Sequence, residues 1–122
     1  VLEAGENRVV FVTTDLIGIP RTLAVNVSRR VKEKYKLPRK SLLFNASHTH
    51  CGPELRPERD YFYGMAEAQA EQIGVYTEKL ETALVELIGA ALDDLQPATL
   101  SYAKSTADFA KNRRFPTAPA SD

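Results

Sequence analysis

Residues 8 to 15 read R-V-V-F-V-T-T-D, a β-branched and apolar run that ends on an acidic residue. Valine, phenylalanine and threonine suit the pleated surface of a sheet, so the run predicts a buried strand over 8–14. The preceding letters V-L-E-A and G-E-N predict another strand and a turn, which together make a hairpin. We interpret a chain that begins inside a hairpin as a piece of a longer protein.

Further along the chain, the hydrophobic pattern alternates between helix and strand. Apolar residues recur every four positions after Pro20, which predicts an amphipathic helix of about four turns. They are Leu23, Val27, Val31 and Tyr35. The run over 41–47 predicts a second buried strand, and 51–69 predicts a long functional or lid-like loop. A longer amphipathic helix is predicted over 71–95, and the alternating T-L-S-Y-A-K over 99–104 predicts a half-buried strand.

This order of elements predicts an α/β fold, with strands alternating with two amphipathic helices in two layers around a mixed sheet. A length of 122 residues with 43% hydrophobic content is sufficient for one core. Sixteen basic residues balance sixteen acidic ones, so the charge does not favour nucleic acid as a partner. No apolar run reaches about 18 residues, which predicts that no segment spans a membrane.

The chain concentrates its reactive side chains in N-A-S-H-T-H-C-G-P, residues 45 to 53, which holds both histidines and the only cysteine. If the strand continues through this stretch, its period of two places His48 and His50 on one face and Cys51 on the other. Two imidazoles in one pocket can bind a metal ion together, or one can bind it beside an acid or base. The alternatives are structural histidines and a buried cysteine. A Cys51–histidine dyad is the weaker hypothesis, because a nucleophile needs its base within hydrogen-bond reach.

Two further groups lie where strands are predicted to end. Asp15 follows the first buried strand, and we expect its carboxylate to accept the second N–H of His48 or His50, or else to cap a turn. The run N-R-R, residues 112 to 114, follows the last predicted strand. An arginine there can stabilise an oxyanion or bind a carboxylate, or it can be a solvated surface charge.

The motif N-A-S-H-T-H-C-G-P is preceded by V-F-V-T-T-D-L and followed by P-A-x-L-x-Y and N-R-R. In this combination the chain resembles the amino-terminal domain of the neutral/alkaline, non-lysosomal ceramidase family and its bacterial relatives. The resemblance spans Val1 to about Pro116 and implies that 1–122 is a single partial domain of a larger catalytic domain. It also implies a Zn²⁺-dependent hydrolase that cleaves the amide of N-acylsphingosine or a related lipid-like compound. The location it suggests is secreted, periplasmic or cell-surface.

The resemblance assigns a role to three residues of this chain. It implies that His48 binds Zn²⁺, that His50 takes part in catalysis beside the substrate, and that Arg113 lies in the pocket. The family's other ligands, a histidine, a glutamate and a tyrosine, come from later sequence, so we expect an incomplete zinc site and an inactive fragment. Ceramidases are glycine-rich where this chain has the charged loop 54–60, which leaves ceramide and another amide as alternative substrates. A non-catalytic ligand-binding domain that uses this loop, and a Cys51 thiol hydrolase, are the alternative functions.

Overall fold

The computed structural model describes residues 1–57, 64, 66–109 and 114. The elements in chain order are strand β1 (Leu2–Ala4), strand β2 (Asn7–Thr14), helix α1 (Arg21–Tyr35), a 3-10 turn (Arg39–Ser41), strand β3 (Leu42–Ala46) and helix α2 (Glu67–Asp93). The predicted α/β class, with strands alternating with two helices, is confirmed.

The three strands form a mixed sheet in the order β1-β2-β3. β1 and β2 pair antiparallel, as the predicted hairpin requires, and the turn between them holds Gly5 at a φ of 58°. Glycine adopts this left-handed conformation without a steric cost. β2 and β3 pair in parallel, from Val10 opposite Leu42 to Thr14 opposite Ala46. α1 supplies the crossover that two parallel strands need.

One face of the sheet carries the hydrophobic core. Because side chains alternate along a strand, Val10, Val12 and Leu42 all point to this face, where they are buried. The helices cover it with one side each. The buried apolar residues of the helices are Leu23, Val27 and Val31 of α1 and Leu84, Val85 and Ile88 of α2. The predicted apolar face of α1 is therefore confirmed.

Helix α2 begins earlier and is less buried than its sequence predicts. It starts at Glu67 rather than near Glu71, because the Gln69 side chain accepts a hydrogen bond from the Ala66 N–H, at 2.9 Å, and caps the added turn. No residue of α2 before Leu84 is fully buried. With 27 residues against 15, α2 is about 18 Å longer than α1. In the described part of the chain, no helix combines the length and apolarity needed to cross a membrane.

The prediction of a strand over 99–104 is wrong. Residues 95–109 contain neither strand nor helix, and every side chain from 96 to 109 is exposed. Leu100 and Tyr102, the two large apolar residues of the alternating pattern, are 79% and 87% exposed. Alternation specifies a half-buried strand only where a neighbouring strand and a covering layer accept it, and here β3 is the last strand of the described sheet.

Candidate functional site

The loops that follow β2 and β3 lie side by side at one edge of the sheet. Because these strands are parallel, their carboxyl ends meet there, which is where ligands bind in open α/β sheets. The ladder continues one bond beyond β3, since the Ser47 N–H donates to the Thr14 carbonyl oxygen at 3.0 Å. Residues 47–51, named here the histidine turn, are therefore joined directly to the end of β2.

His48 leaves strand geometry with a φ of 62°. Few residues other than glycine adopt this left-handed conformation, although histidine is among those that do so more often. The His48 N–H donates to the Leu16 carbonyl oxygen at 3.0 Å, and this bond holds the histidine turn against the loop after β2. β3 therefore ends at Ala46, so the condition under which strand alternation would place His48 and His50 on one face is not met.

A second bond to the same loop fixes the His48 ring. Nδ1 lies 2.8 Å from the carbonyl oxygen of Ile17. A carbonyl oxygen only accepts, so Nδ1 carries the proton, and in the neutral ring Nε2 keeps its lone pair. Metal-binding histidines are held in this way, with the second ring N–H donated to a carbonyl or carboxylate. His48 is exposed, so the ring is accessible to a ligand.

The structure brings His50 next to His48, although not by strand alternation. Their ring centroids are 5.2 Å apart and the ring planes meet at 68°. Two imidazoles that share a tetrahedral zinc ion, each at 2.0 to 2.1 Å, have centroids about 5 Å apart. The separation suits a shared ion, and it also suits one metal ligand beside one acid or base.

Among the described residues, Asp15 hydrogen-bonds to neither imidazole. Its Oδ1 accepts a hydrogen bond from Ser47 Oγ, which in turn accepts one from the Thr49 N–H at 3.3 Å. The expected hydrogen bond from His48 or His50 to Asp15 is not formed among the described residues. The left-handed turn directs the His48 ring to Ile17, two residues farther along the loop after β2. Asp15 instead holds the start of the histidine turn.

Cys51 is an exposed free thiol, which excludes the buried role that was its alternative. No hydrogen bond between described residues joins its sulfur to an imidazole, so the dyad of a thiol nucleophile is not formed in this structure. Gly52 allows the two loops to approach closely. A Cβ there would lie 3.2 Å from both the Asp15 carbonyl oxygen and the Thr49 methyl group.

The charged segment after Gly52 is folded around one carboxylate. Glu54 Oε1 accepts from Arg56 Nε at 2.6 Å, and Glu54 Oε2 accepts from Arg56 Nη2 at 2.8 Å. The backbone N–H groups of Leu55 and Arg56 also donate to Oε1. The hydrogen bond from Arg56 lowers the pKa of Glu54, and it outweighs burial, which acts to raise it. Leu55, between the paired residues, is buried.

Arg113 and the aromatic residues 61–63 lie outside the described residues. Arg114 is described and is exposed. Within 1–57, 66–109 and the two single positions, no three histidine, cysteine, aspartate or glutamate side chains form a group that could hold a metal ion. The described residues therefore offer a metal two imidazoles, where a structural zinc site has four ligands and a catalytic site three.

Sequence reasoning missed the groups that hold the histidine turn. Ile17 acts through its backbone carbonyl, which any residue could supply, and Ser47 acts through a hydroxyl that is common on surfaces. In the sequence, the only indication that these two residues support the site was their position near the ends of predicted strands. No family model, curated protein or solved structure matches the chain.

Proposed function

We propose that this chain is part of a zinc-dependent hydrolase of the ceramidase type that cleaves an amide bond. The observation that carries the proposal is the hydrogen bond from His48 Nδ1 to the Ile17 carbonyl oxygen. It fixes the tautomer that leaves Nε2 as the donor, and it limits rotation of the ring, which are the properties of a zinc-binding histidine. The resemblance of N-A-S-H-T-H-C-G-P to the ceramidase motif supports the same assignment.

Each of the three site residues of the chain has a separate proposed role. His48 would hold the ion through Nε2, while the Ile17 carbonyl oxygen keeps the ring in place. Zinc, when bound, acts as a Lewis acid and lowers the pKa of water to about 7. His50, beside His48, would take a proton from the attacking water and pass it to the leaving amine. Arg113 is proposed to bind the oxyanion or the carboxylate of the released acid.

The substrate class follows from the same proposal. It is a small-molecule or lipid-like amide, either N-acylsphingosine or a related N-acyl amine. A secreted, periplasmic or cell-surface location accompanies the ceramidase resemblance. The alternative function is a non-catalytic domain that binds a ligand through the charged loop 54–60. It has less support, because the side chains of Glu54 and Arg56 in this loop are hydrogen-bonded to each other.

The test is zinc content and amide hydrolysis of the intact protein, compared between wild type and His48→Asn. Asparagine tolerates the left-handed conformation at position 48, so the variant removes the imidazole and keeps the turn. We expect loss of most of the bound zinc and a fall in kcat/KM of at least about 100-fold. Unchanged zinc content and hydrolysis in His48→Asn would contradict the proposal.

Two companion variants separate the roles of neighbouring residues. His50→Gln should keep the zinc while kcat falls by about 100-fold or more. Cys51→Ser should keep both zinc and activity, whereas a thiol hydrolase would lose activity with this variant and with iodoacetamide, but not with a chelator. Wild-type protein without zinc and without hydrolysis would instead favour a non-catalytic binding domain.

A further inference from the structure

Helix α2 carries a second apolar stripe beside the one that it buries. Leu84, Val85 and Ile88 belong to the core. On the neighbouring side of the helix, another set of apolar residues recurs at alternating intervals of three and four positions. We name this set the outer stripe: Ile73, Tyr76, Leu80, Ala83, Leu87 and Ala90. This spacing is that of the a and d positions of a coiled coil, which pack against a partner helix.

The outer stripe is not covered by the fold. Tyr76 is 43% exposed and Leu87 is 57% exposed, and the other four members are exposed or half-buried. α1 packs elsewhere on α2, because its side chains hydrogen-bond to Glu81 and Thr82, which lie on a different side of the helix. The stripe therefore presents apolar surface along about 26 Å of α2. A continuous exposed patch of this kind marks an interaction surface.

The side chains of the outer stripe match a second copy of the same helix in size. When two such helices pack antiparallel and centred on each other, each a residue faces a d residue of the other copy. The facing pairs are Ile73 with Ala90, Leu80 with Ala83 and Tyr76 with Leu87. In the first two pairs a large side chain meets alanine, which lets the helices interdigitate. A parallel pair would instead set alanine against alanine and leave gaps.

The charges beside the outer stripe match the same arrangement. Lys79 and Glu86 are exposed and occupy the g positions that flank the stripe. In the antiparallel pair g faces g, so Lys79 lies opposite Glu86 of the second copy, and symmetry repeats this ion pair. A shift of one heptad in either direction sets Glu86 opposite Glu86 or Lys79 opposite Lys79. Like charges destabilise such a register, so the charges specify the centred one.

We propose that the outer stripe is the interface of a homodimer, in which the α2 helices of two copies pack antiparallel with Lys79 of each opposite Glu86 of the other. A second copy is the occupant because the stripe is complementary to itself in both size and charge. The inference does not rest on the proposed function, since no residue of the outer stripe belongs to the histidine turn.

The direct test is analytical ultracentrifugation of the intact protein between about 1 and 200 µM, a range that includes weak homodimers. We expect wild type to dimerise as its concentration rises. Lys79→Glu and Glu86→Lys should each raise the dimer Kd by about 10-fold, because each places like charges at two symmetric positions. Lys79→Glu combined with Glu86→Lys should return the Kd to within about threefold of wild type. A double variant as weak as either single variant would overturn the inference.

Leu87→Glu and Val75→Glu form a matched pair of variants. Val75 is 50% exposed on the same helix but lies outside the outer stripe. We expect Leu87→Glu to be monomeric throughout the concentration range, because it places two carboxylates in the apolar interface, and Val75→Glu to dimerise like wild type. Equal effects of the two variants would contradict the proposed interface.

Monomeric wild type at 200 µM also overturns the inference, whichever other segment or protein covers the stripe. A monomer that is destabilised more by Leu87→Glu than by Val75→Glu would show that another part of the same chain covers it. The proposed function is unaffected by either result, since zinc content and amide hydrolysis are measured separately.

Discussion

Glu54 shows that the charges of a loop can be used inside the molecule rather than for a ligand. The sequence shows five acidic and basic residues in seven positions over 54–60, a pattern typical of a solvated or ligand-binding loop. In the structure, the Glu54 carboxylate accepts hydrogen bonds from two backbone N–H groups and from the Arg56 guanidinium. The pair closes the segment over the buried Leu55, and this role depends on partners that sequence spacing does not specify.

Replacing Glu54 with glutamine should lower stability in a pH-dependent way. Arg56 lowers the folded-state pKa of Glu54, so the stabilisation is complete above the ordinary carboxyl pKa of about 4.3 and is lost as the pH falls through the lowered value. We expect Glu54→Gln to reduce the free energy of unfolding by about 1 to 2 kcal/mol at pH 7. Urea unfolding between pH 7 and pH 3 should show the two proteins converging in acid.

Glu33→Gln is the control for this prediction. Glu33 pairs with Arg29 one turn away on α1, with both side chains 61% exposed. Exposed pairs of this kind contribute about 0.3 to 0.5 kcal/mol, so the variant should change little. A loss as large as that of Glu54→Gln, or a Glu54→Gln difference that does not vary with pH, would contradict the assignment.

At the scale of single residues, the sequence predicts chemistry better than it predicts partners. His48 and His50 could be named because they are the only imidazoles and lie two positions apart. The group that orients His48 could not be named, because it is a backbone carbonyl reached through a positive φ. By residue type, Asp15 was the expected hydrogen-bond acceptor for the ring. The acceptor in the structure is Ile17, two residues later in the chain.

At the scale of elements, periodicity predicts those parts that have a partner to pack against. β2 and α1 lie in the middle of the fold, and their patterns of two and of about 3.6 residues match their burial. The longer helix predicted as amphipathic, α2, is only partly covered, and its apolar residue Leu87 is 57% exposed. The alternating segment 99–104 pairs with none of the described strands, and its pattern alone does not make it a strand.

The contact between the ends of the two helices gives a prediction at this scale. A Cβ added to Gly89 would lie 2.0 Å from the Tyr35 hydroxyl oxygen and 2.5 Å from Cζ, so the ring would have to move. We expect Gly89→Ala to lower the free energy of unfolding by about 1 to 2 kcal/mol, because overpacking outweighs the gain in helix propensity. Thermal or urea unfolding measures the change.

Gly74→Ala is the matched variant in the same helix. No atom lies within 4 Å of its added Cβ, so only the gain in helix propensity applies. We expect it to raise the free energy of unfolding by about 0.5 to 1 kcal/mol. Changes of the same sign in Gly74→Ala and Gly89→Ala would show that Tyr35 does not restrict position 89.

At the scale of the whole molecule, the two described helices cover one face of the sheet, and side chains on the other face are exposed. The large apolar residues exposed on the strands are Leu2, Val9, Phe11 and Leu43. Val9, Phe11 and Leu43 each lie next to a buried residue of their strand, so the pattern correctly predicted these strands and a two-layer fold, but it did not show which face the helices would leave exposed. Apolar residues on both faces of a strand predict that both faces are buried. In this sheet, the described residues bury one face.

Adjacent residues of β2 test this asymmetry. Val12 is 3% exposed and Phe11 is 51% exposed, on opposite faces of the same strand. We expect Val12→Thr to cost about 1.5 to 3 kcal/mol, because it buries a hydroxyl group, and Phe11→Thr to cost less than about 1 kcal/mol. The measurement is equilibrium unfolding in urea. If the loss in Phe11→Thr equals that in Val12→Thr, the open face is covered in solution.

The attachment of the histidine turn to the loop after β2 also determines when the site forms during folding. The two atoms that orient the His48 ring belong to residues 31 positions apart. They can meet only after the β2–α1–β3 unit has closed, so the oriented imidazole is a late product of a non-local contact. An ion that prefers the oriented ring consequently binds the closed unit and stabilises it, to an extent that grows with ion concentration. Closure of the parallel pair and affinity at His48 are thus linked parts of one equilibrium.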